Sequence, residues 1–451
     1  MAGDVLAIEP VAGMLDAVVS VPGSKSLTNR ALVAAALAQG RSQLRGALFA
    51  DDTEAMVGAL DVLGVTVVTD PGAGTITVDG TGGALGGSGV PVDARMSGTT
   101  SRFVLPMLAL GSGRHRLDGA ASLRARPFGD QIAALRTLGA SVRELGRPGH
   151  LPLEVAAGTL RGGRLDVAGD TSSQFASGLM LTAPLLDTGL ELHLTGNLVS
   201  RPYLRLTADV MRSFGATVDH DGDRTWTVPP SGYRPMTYRV EADASAASYF
   251  FAAAAVCGGR VVVEGLGRRS HQGDLAFLKV LETMGVQVQR GDADTSVVGT
   301  GHLRGVNADL SDFSDTALTL AAVAVFASGP TRVRGIGFTR AKETDRVAAA
   351  VTELRRLGID ATEHEDGFDV RPGTPRAGRV RTYGDHRVAM SFALIGLRAP
   401  GVEICDPGCV AKTFPTFWDV LASLDGTNRA GSPSPPDPSG GTSRRRSGGA
   451  G

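Results

Sequence analysis

The stretch Pro22-Gly23-Ser24-Lys25-Ser26-Leu27-Thr28-Asn29-Arg30 sets a tight turn, hydroxyls and two cations at the start of a helix. Leu27, Ala31, Ala34 and Ala38 keep the spacing of one apolar helical stripe, so Ser24 to Ser26 are expected at its N-terminus. Free backbone N–H groups and the positive end of the helix dipole favour a phosphate or carboxylate there, and Lys25 and Arg30 add full charges. Five further segments carry the same chemistry ahead of apolar helices: Ser97-Gly98-Thr99-Thr100-Ser101-Arg102, Leu123-Arg124-Ala125-Arg126-Pro127, Gly169-Asp170-Thr171-Ser172-Ser173-Gln174, Arg340-Ala341-Lys342-Glu343-Thr344-Asp345-Arg346 and Tyr383-Gly384-Asp385-His386-Arg387. Taken singly each has a structural reading. Asp170, Thr344 and Asp385 would be N-caps, Glu343 and Asp345 first-turn acids, Pro127 a first helical residue and the arginines surface charge. Taken together, across both halves of the chain, they point to one cleft between domains that holds a small anionic ligand.

Bulk properties agree with a local anion site rather than a polyanion partner. The chain has 451 residues, 42% hydrophobic and 20% charged, with a formal net charge of -1, so neither nucleic acid nor a membrane surface is expected as a partner. Its three cysteines, Cys257, Cys405 and Cys409, lack the spacing of a disulfide framework or a zinc site, and no metal is expected. No basic-then-apolar leader and no uncharged apolar run of about 18 residues is present, which predicts a cytoplasmic protein.

The positioning elements show as a repeat. Leu63-Gly64-Val65, Leu138-Gly139-Ala140, Phe214-Gly215-Ala216, Met284-Gly285-Val286 and Leu357-Gly358-Ile359 each end an apolar helix and begin a β-branched strand, and Val420 to Asp425 is a truncated sixth copy. Each glycine stands where a left-handed C-cap belongs. A period of roughly 70 residues exceeds that of the usual solenoids and accommodates several strands and two helices per unit. Six α/β units in two domains of three are therefore expected. After Leu424 the composition turns to Gly, Ser, Pro and Arg, so residues 426–451 are expected to be a disordered tail.

Gly23-Ser24-Lys25-Ser26-Leu27-Thr28-Asn29-Arg30-Ala31, Ser172-Ser173-Gln174, Ser200-Arg201-Pro202-Tyr203, Lys342-Glu343-Thr344-Asp345-Arg346, Gly384-Asp385-His386-Arg387 and Ala411-Lys412-Thr413-Phe414-Pro415 resemble the motifs of the EPSP synthase family of enolpyruvyl transferases, in order from about Ile8 to Leu424. The resemblance implies a two-domain, inside-out α/β barrel-like architecture of six βαβαββ units, three per domain. Residues 1–22 with 242–425 would form one domain and 23–241 the other, the two closing on their ligands about crossings near 21–24 and 240–243. It also implies transfer of the enolpyruvyl group of phosphoenolpyruvate to the 5-hydroxyl of shikimate 3-phosphate, with release of phosphate, by a monomer that uses no metal or organic cofactor.

By the same resemblance, Lys25, Ser26, Arg30, Ser172, Ser173, Gln174, Ser200, Asp315 and Lys342 would hold shikimate 3-phosphate. Lys25, Gly98, Arg126, Gln174, Arg346, Arg387 and Lys412 would hold phosphoenolpyruvate. Asp315 and Glu343 would exchange protons with the 5-hydroxyl and the methylene carbon, with Lys25 beside the developing charge. Such a reaction needs an acid and a base facing opposite parts of one intermediate, and cations placed to grip carboxylate and phosphate.

Two departures bear on affinity. Met96 stands where many members have Asn, and neither Phe338 nor Thr339 supplies the amide that often contacts the shikimate phosphate. Gly98 leaves room beside the phosphoenolpyruvate site, which predicts sensitivity to the analogue glyphosate. The sister transferase acting on UDP-N-acetylglucosamine typically has a reactive Cys where Ala121 stands, and its first motif lacks the Ser26-Leu27-Thr28-Asn29-Arg30 run. A nucleotide P-loop is excluded, since Val18 occupies the place of its first glycine and Lys25 follows Ser24 rather than Gly. A non-catalytic anion-binding repeat protein has no use for both Asp315 and Glu343.

Overall fold

The computed structural model describes residues 4–425 apart from Ser88, Thr159, Thr171 and Ser172. Ser172 and the tail 426–451 therefore lie outside the described residues.

The repeat is built by its glycines. Gly64, Gly139, Gly215, Gly285 and Gly358 all have positive φ, from 80° to 108°. The next residue then donates back into the helix it has left, as in Val65 N to Leu60 O at 3.0 Å and Ile359 N to Leu354 O at 2.9 Å. This double closure satisfies the last carbonyls and turns the chain straight into a strand. A side chain at these positions would strain each turn.

Each unit contributes one small sheet, giving among the described residues five four-stranded sheets and one three-stranded sheet. Every four-stranded sheet runs one parallel pair and then two antiparallel pairings, the hydrogen-bonded form of βαβαββ. In two sheets the first strand comes from the far end of the same half's sequence, beside a crossing. Thr237–Arg239 pairs parallel with Gln39–Arg45, and Leu15–Val19 pairs parallel with Gly259–Glu264. The truncated sixth unit is completed from the chain start, where Val5–Ala7 pairs antiparallel with Val402–Cys405.

Two separate hydrophobic cores result, one drawn from Leu27 to Val240 and the other from Ile8 to Val19 plus Ala244 to Leu424. They are called the first and second halves below. Within each half three helices pack together at the centre with the sheets outside them: Lys25–Leu37, Gly98–Met107 and Ser173–Thr182 in one, Ala244–Cys257, Ala317–Ala324 and His386–Gly396 in the other. The expected single apolar stripe on the first helix is corrected here. Leu27 through Leu37 are all buried, Thr28, Asn29 and Arg30 included, because a helix at the centre of its half meets protein on every side.

The two crossing segments pair with each other, Ser24 N donating to Glu241 O at 2.8 Å and Asp243 N to Pro22 O at 2.9 Å. Gly23 is required here, since a Cβ would lie 1.9 Å from the Gly46 carbonyl oxygen. Among the described residues no helix is long and apolar enough to cross a membrane.

Candidate active site

The central helices begin at the cleft between halves, so their first turns bring the motif residues together. Asp385 caps His386–Gly396 by accepting from Arg387 N at 2.9 Å. Asp345, not Thr344, caps Arg346–Arg356 by accepting from Ala348 N at 2.9 Å, so Glu343 lies before that helix and is free to turn into the cleft. Pro127 is not a first helical residue either. The short helix Ala121–Arg124 ends before it, and the next begins at Gly129 because Phe128 N donates to Gly149 O at 2.8 Å and its buried ring lies under Arg102.

Two amides at the start of the Lys25 helix are taken up within the protein, Lys25 N by Asp243 Oδ2 at 3.0 Å and Ser24 N by Glu241 O, while the side chains of Lys25, Ser26 and Arg30 line the pocket.

Two adjoining pockets of about 500 and 360 Å³ occupy the cleft. The first is lined from the first half by Lys25, Ser26, Arg30, Ser173, Gln174 and Ser200, and from the second by Asp315, Phe338 and Lys342. The second is lined by Lys25, Gly98, Arg126 and Gln174 on one side and by Asp315, Lys342, Glu343, Arg346 and Arg387 on the other. Lys412 stands behind the second pocket, its Nζ 2.8 Å from Glu343 Oε1. Apart from Ser172, every residue expected at the site is thus gathered in one place.

Pairing within the cleft is dense. Glu343 accepts from Lys412, from Arg346 Nη2 at 2.8 Å, and lies 3.2 Å from Arg126 Nη2 of the opposite half. Burial alone would raise its carboxyl, but Lys412, Arg346 and Arg126 hold it well below the usual carboxylate range. Asp315 accepts from Arg387 Nη2 at 2.6 Å and Arg346 Nη1 at 3.1 Å. Against the effect of burial, Arg387, Lys342, Arg346 and Lys25 depress it as well. Both acids are therefore ionised, each held by cations that an anionic ligand would compete for.

The cations differ in freedom. Arg346 is locked by Asp385, Nε to Oδ2 at 2.8 Å. Arg30 is 2% exposed, donates to Thr207 Oγ1 at 2.7 Å and to the Ser26 carbonyl at 2.9 Å, and stands over the Phe103 and Tyr203 rings. It braces the first pocket from beneath, and burial pushes it down to about 10. Lys342 has an aromatic partner, the Phe338 ring at 5.8 Å, and burial with nearby Arg346 and Arg102 lowers it to about 8 although Asp315 opposes this. Phe338 thus supports Lys342 rather than offering a polar contact.

Several residues of the site were not singled out in the sequence. Arg102 donates to Gln174 Oε1 at 2.8 Å between the Phe128 and Phe175 rings, and burial beside Arg126 lowers it to about 9. It had a signal, since it ends a flagged glycine-containing segment. Asp52, paired with Lys25 at 3.2 Å, reads in sequence as an ordinary first-turn acid. Tyr203 lies in a quoted motif and lines the first pocket, while Ser245 and Asp274 gave no signal.

Comparison with known proteins places this arrangement. The family model described as EPSP synthase (3-phosphoshikimate 1-carboxyvinyltransferase) matches residues 11–421. The 3-phosphoshikimate 1-carboxyvinyltransferase of Nostoc punctiforme is 44% identical over 416 residues, 92% of this chain and 98% of that protein. That of Serratia proteamaculans is 43% identical over 426 residues, covering 93% and 99%. The solved EPSP synthase of Acinetobacter baumannii superposes with a TM-score of 0.78 at 27% identity, covering 93% of this chain and 98% of that one. The enolpyruvyl transferase NikO of Streptomyces tendae, at 21% identity and a TM-score of 0.74, shares the fold. A near full-length family match, relatives of this identity and a six-unit fold with its charged cleft make the chain a member of the EPSP synthase family.

Proposed function

We propose that this chain transfers the enolpyruvyl group of phosphoenolpyruvate to the 5-hydroxyl of shikimate 3-phosphate and releases phosphate. The observation that carries the reading is the pairing around Glu343, where Arg126 of one half and Arg346 and Lys412 of the other meet on one carboxylate beside Asp315. Domain boundaries between 22 and 23 and between 241 and 242 are part of the reading, supported by the two separate cores.

Lys25, Ser26, Arg30, Ser172, Ser173, Gln174, Ser200, Asp315 and Lys342 hold shikimate 3-phosphate in the first pocket. Lys25, Gly98, Arg126, Gln174, Arg346, Arg387 and Lys412 hold phosphoenolpyruvate in the second. Asp315, ionised, accepts the 5-hydroxyl proton as the oxygen attacks C2 of the enol. Glu343 delivers a proton to the methylene carbon. It must first gain one, and a substrate carboxylate and phosphate that draw Arg126, Arg346 and Lys412 away raise its pKa in the direction required. In the second step a methyl proton returns to Glu343 and the C2–O bond to phosphate breaks, with Lys25 placed to stabilise the departing charge. Closure is coupled to this chemistry, because the anionic substrates lie between cations of both halves and add to the bridge that Glu343 makes with Arg126.

A monomer is supported by a site built wholly from one chain, and a cytoplasmic location by three free, half-buried cysteines. Light scattering on the purified protein checks the first. The reaction is tested by phosphate release from phosphoenolpyruvate with shikimate 3-phosphate in one tube and UDP-N-acetylglucosamine in another. Release in the first alone is expected, and release in the second alone would move the chain to the sister reaction.

A further inference from the structure

Behind the first pocket a carboxylate joins the two halves. Asp274, 6% exposed, precedes the helix Phe277–Met284 of the second half. Its Oδ2 accepts from Tyr203 Oη of the first half at 2.9 Å and also from Ser245 Oγ of its own half. Tyr203 lines the first pocket and carries Arg30 over its ring. Ser245 in turn lies 3.4 Å from Arg387 Nη2, whose other contact is Asp315. One carboxylate therefore links a wall of the acceptor pocket in one half to the Arg387–Asp315 pair in the other. Its second oxygen, Oδ1, is buried with no hydrogen-bond partner among the described residues.

We propose that Asp274 is a positioning residue for the acceptor: by holding Tyr203 against Ser245 it registers the first-half pocket wall on the second-half base Asp315. The hydroxyls of Tyr203 and Ser245 have the donors an ionised carboxylate needs, and a buried carboxylate is the acceptor best able to hold both. The groups facing it are Tyr203 from the first half and Ser245, Arg387, Asp315 and Asp243 from the second. Burial first, then the Asp315 charge, raise Asp274 to about 6 against the pull of Arg387, so the latch weakens as it takes up a proton. Asp315 and Glu343 are held far lower, and neither titrates in that range.

The inference rests on shikimate 3-phosphate being the acceptor. Its test is a double-mutant cycle of Asp274→Asn and Tyr203→Phe, reading kcat and both KM values from about pH 5 to about pH 9. Each single change is expected to raise the KM for shikimate 3-phosphate roughly tenfold, and the double change no further, because both act on the same bond, Tyr203→Phe by removing its donor and Asp274→Asn by leaving it only a neutral acceptor. The acid limb of kcat/KM near pH 6 should move to lower pH in Asp274→Asn. An unshifted KM, additive losses or an acid limb left in place overturns the role of Asp274. A merely structural contact would lower melting temperature and yield without moving KM or the limb. Tyr203→Phe, which loses a single hydroxyl, keeps the cross-cleft bond testable should Asp274→Asn fail to fold. The unaltered chain run alongside separates the two ideas, since no turnover there refutes the acceptor instead.

Discussion

Asp315 and Glu343 share one guanidinium: Arg346 donates Nη1 to Asp315 at 3.1 Å and Nη2 to Glu343 at 2.8 Å, while its Nε is fixed by Asp385. The planar fork sets the spacing of the two carboxylates proposed to transfer protons, and a lysine could reach only one of them. Arg346→Lys should therefore lower kcat by about a hundredfold or more, beyond any effect on phosphoenolpyruvate KM. Steady-state kinetics decide it. A change confined to KM would mean that Arg346 only binds substrate.

Lys342 gives the alkaline side of the pH profile. Its pKa is lowered to about 8, so its charge is present below that pH and lost as pH rises through it. The KM for shikimate 3-phosphate should climb above pH 8, and Lys342→Arg, which stays charged, should flatten that limb. An alkaline limb identical in Lys342→Arg would assign it to another group.

Gly98 has a different role from the glycines of the turns. A Cβ there would lie 2.6 Å from Arg126 Nη1 and 2.9 Å from Arg102 Nη1. Both arginines are only 6% exposed, so a methyl group must displace charged ends that have little room. Gly98→Ala should raise the KM for phosphoenolpyruvate about tenfold and weaken glyphosate inhibition at least as much, with a smaller loss in kcat. The sensitivity to glyphosate expected from Gly98 is checked in the same titration. Equal inhibition of both proteins would show that the guanidiniums relax without cost.

Glu353 acts from beneath the site. Fully buried, it accepts from Arg356 Nε at 2.8 Å, Arg381 N at 3.0 Å and Tyr383 Oη at 2.6 Å. Tyr383 is held at a φ of +57°, a strained conformation for a bulky residue, and directly precedes the Gly384-Asp385-His386-Arg387 turn. Glu353→Ala should cost about 1–3 kcal/mol, chiefly by leaving Arg381 N without its partner since Arg356 and Tyr383 reach solvent, and should lower kcat because Asp385 and Arg387 lose their seat. Thermal unfolding and kinetics together test this. A less stable enzyme with unchanged kcat would limit Glu353 to stability.

What was legible in the sequence follows from how local the signal is. A left-handed helix end is encoded by one glycine and its flanking apolar residues, so five turns and the six-unit count could be read directly. Motif residues at helix starts were legible for the same reason. Asp274 and Glu353 were not, because Tyr203 and Ser245 for the one, and Arg381 and Tyr383 for the other, come from distant parts of the chain, and a lone acid, or one paired with an arginine three residues on, looks like a solvated one. Thr344 was read as a cap because either it or Asp345 fits the local pattern, and only the approach of Ala348 N to Asp345 decides. The surround of the Lys25 helix was missed because alanines suit a stripe and a fully buried helix equally.

Asp243 ties the two crossings to the site. Its Oδ1 accepts from Ala246 N at 2.8 Å, capping the central helix of the second half, and its Oδ2 accepts from Lys25 N at 3.0 Å at the start of the first-half helix. A single carboxylate therefore caps one helix in each half, across the segments where the chain passes between them. Losing an N-cap costs about 0.5–2 kcal/mol, so Asp243→Ala should lose roughly twice that if both bonds count. Asp243→Asn keeps one acceptor oxygen and should lose about half as much. Because Lys25 borders both pockets, the alanine variant should also raise both KM values together, unlike Gly98→Ala. Chemical denaturation of the two variants separates the cases, and an Asn variant as stable as the unaltered chain beside an Ala variant that loses one cap's worth would mean that the carboxylate caps one helix in effect rather than two.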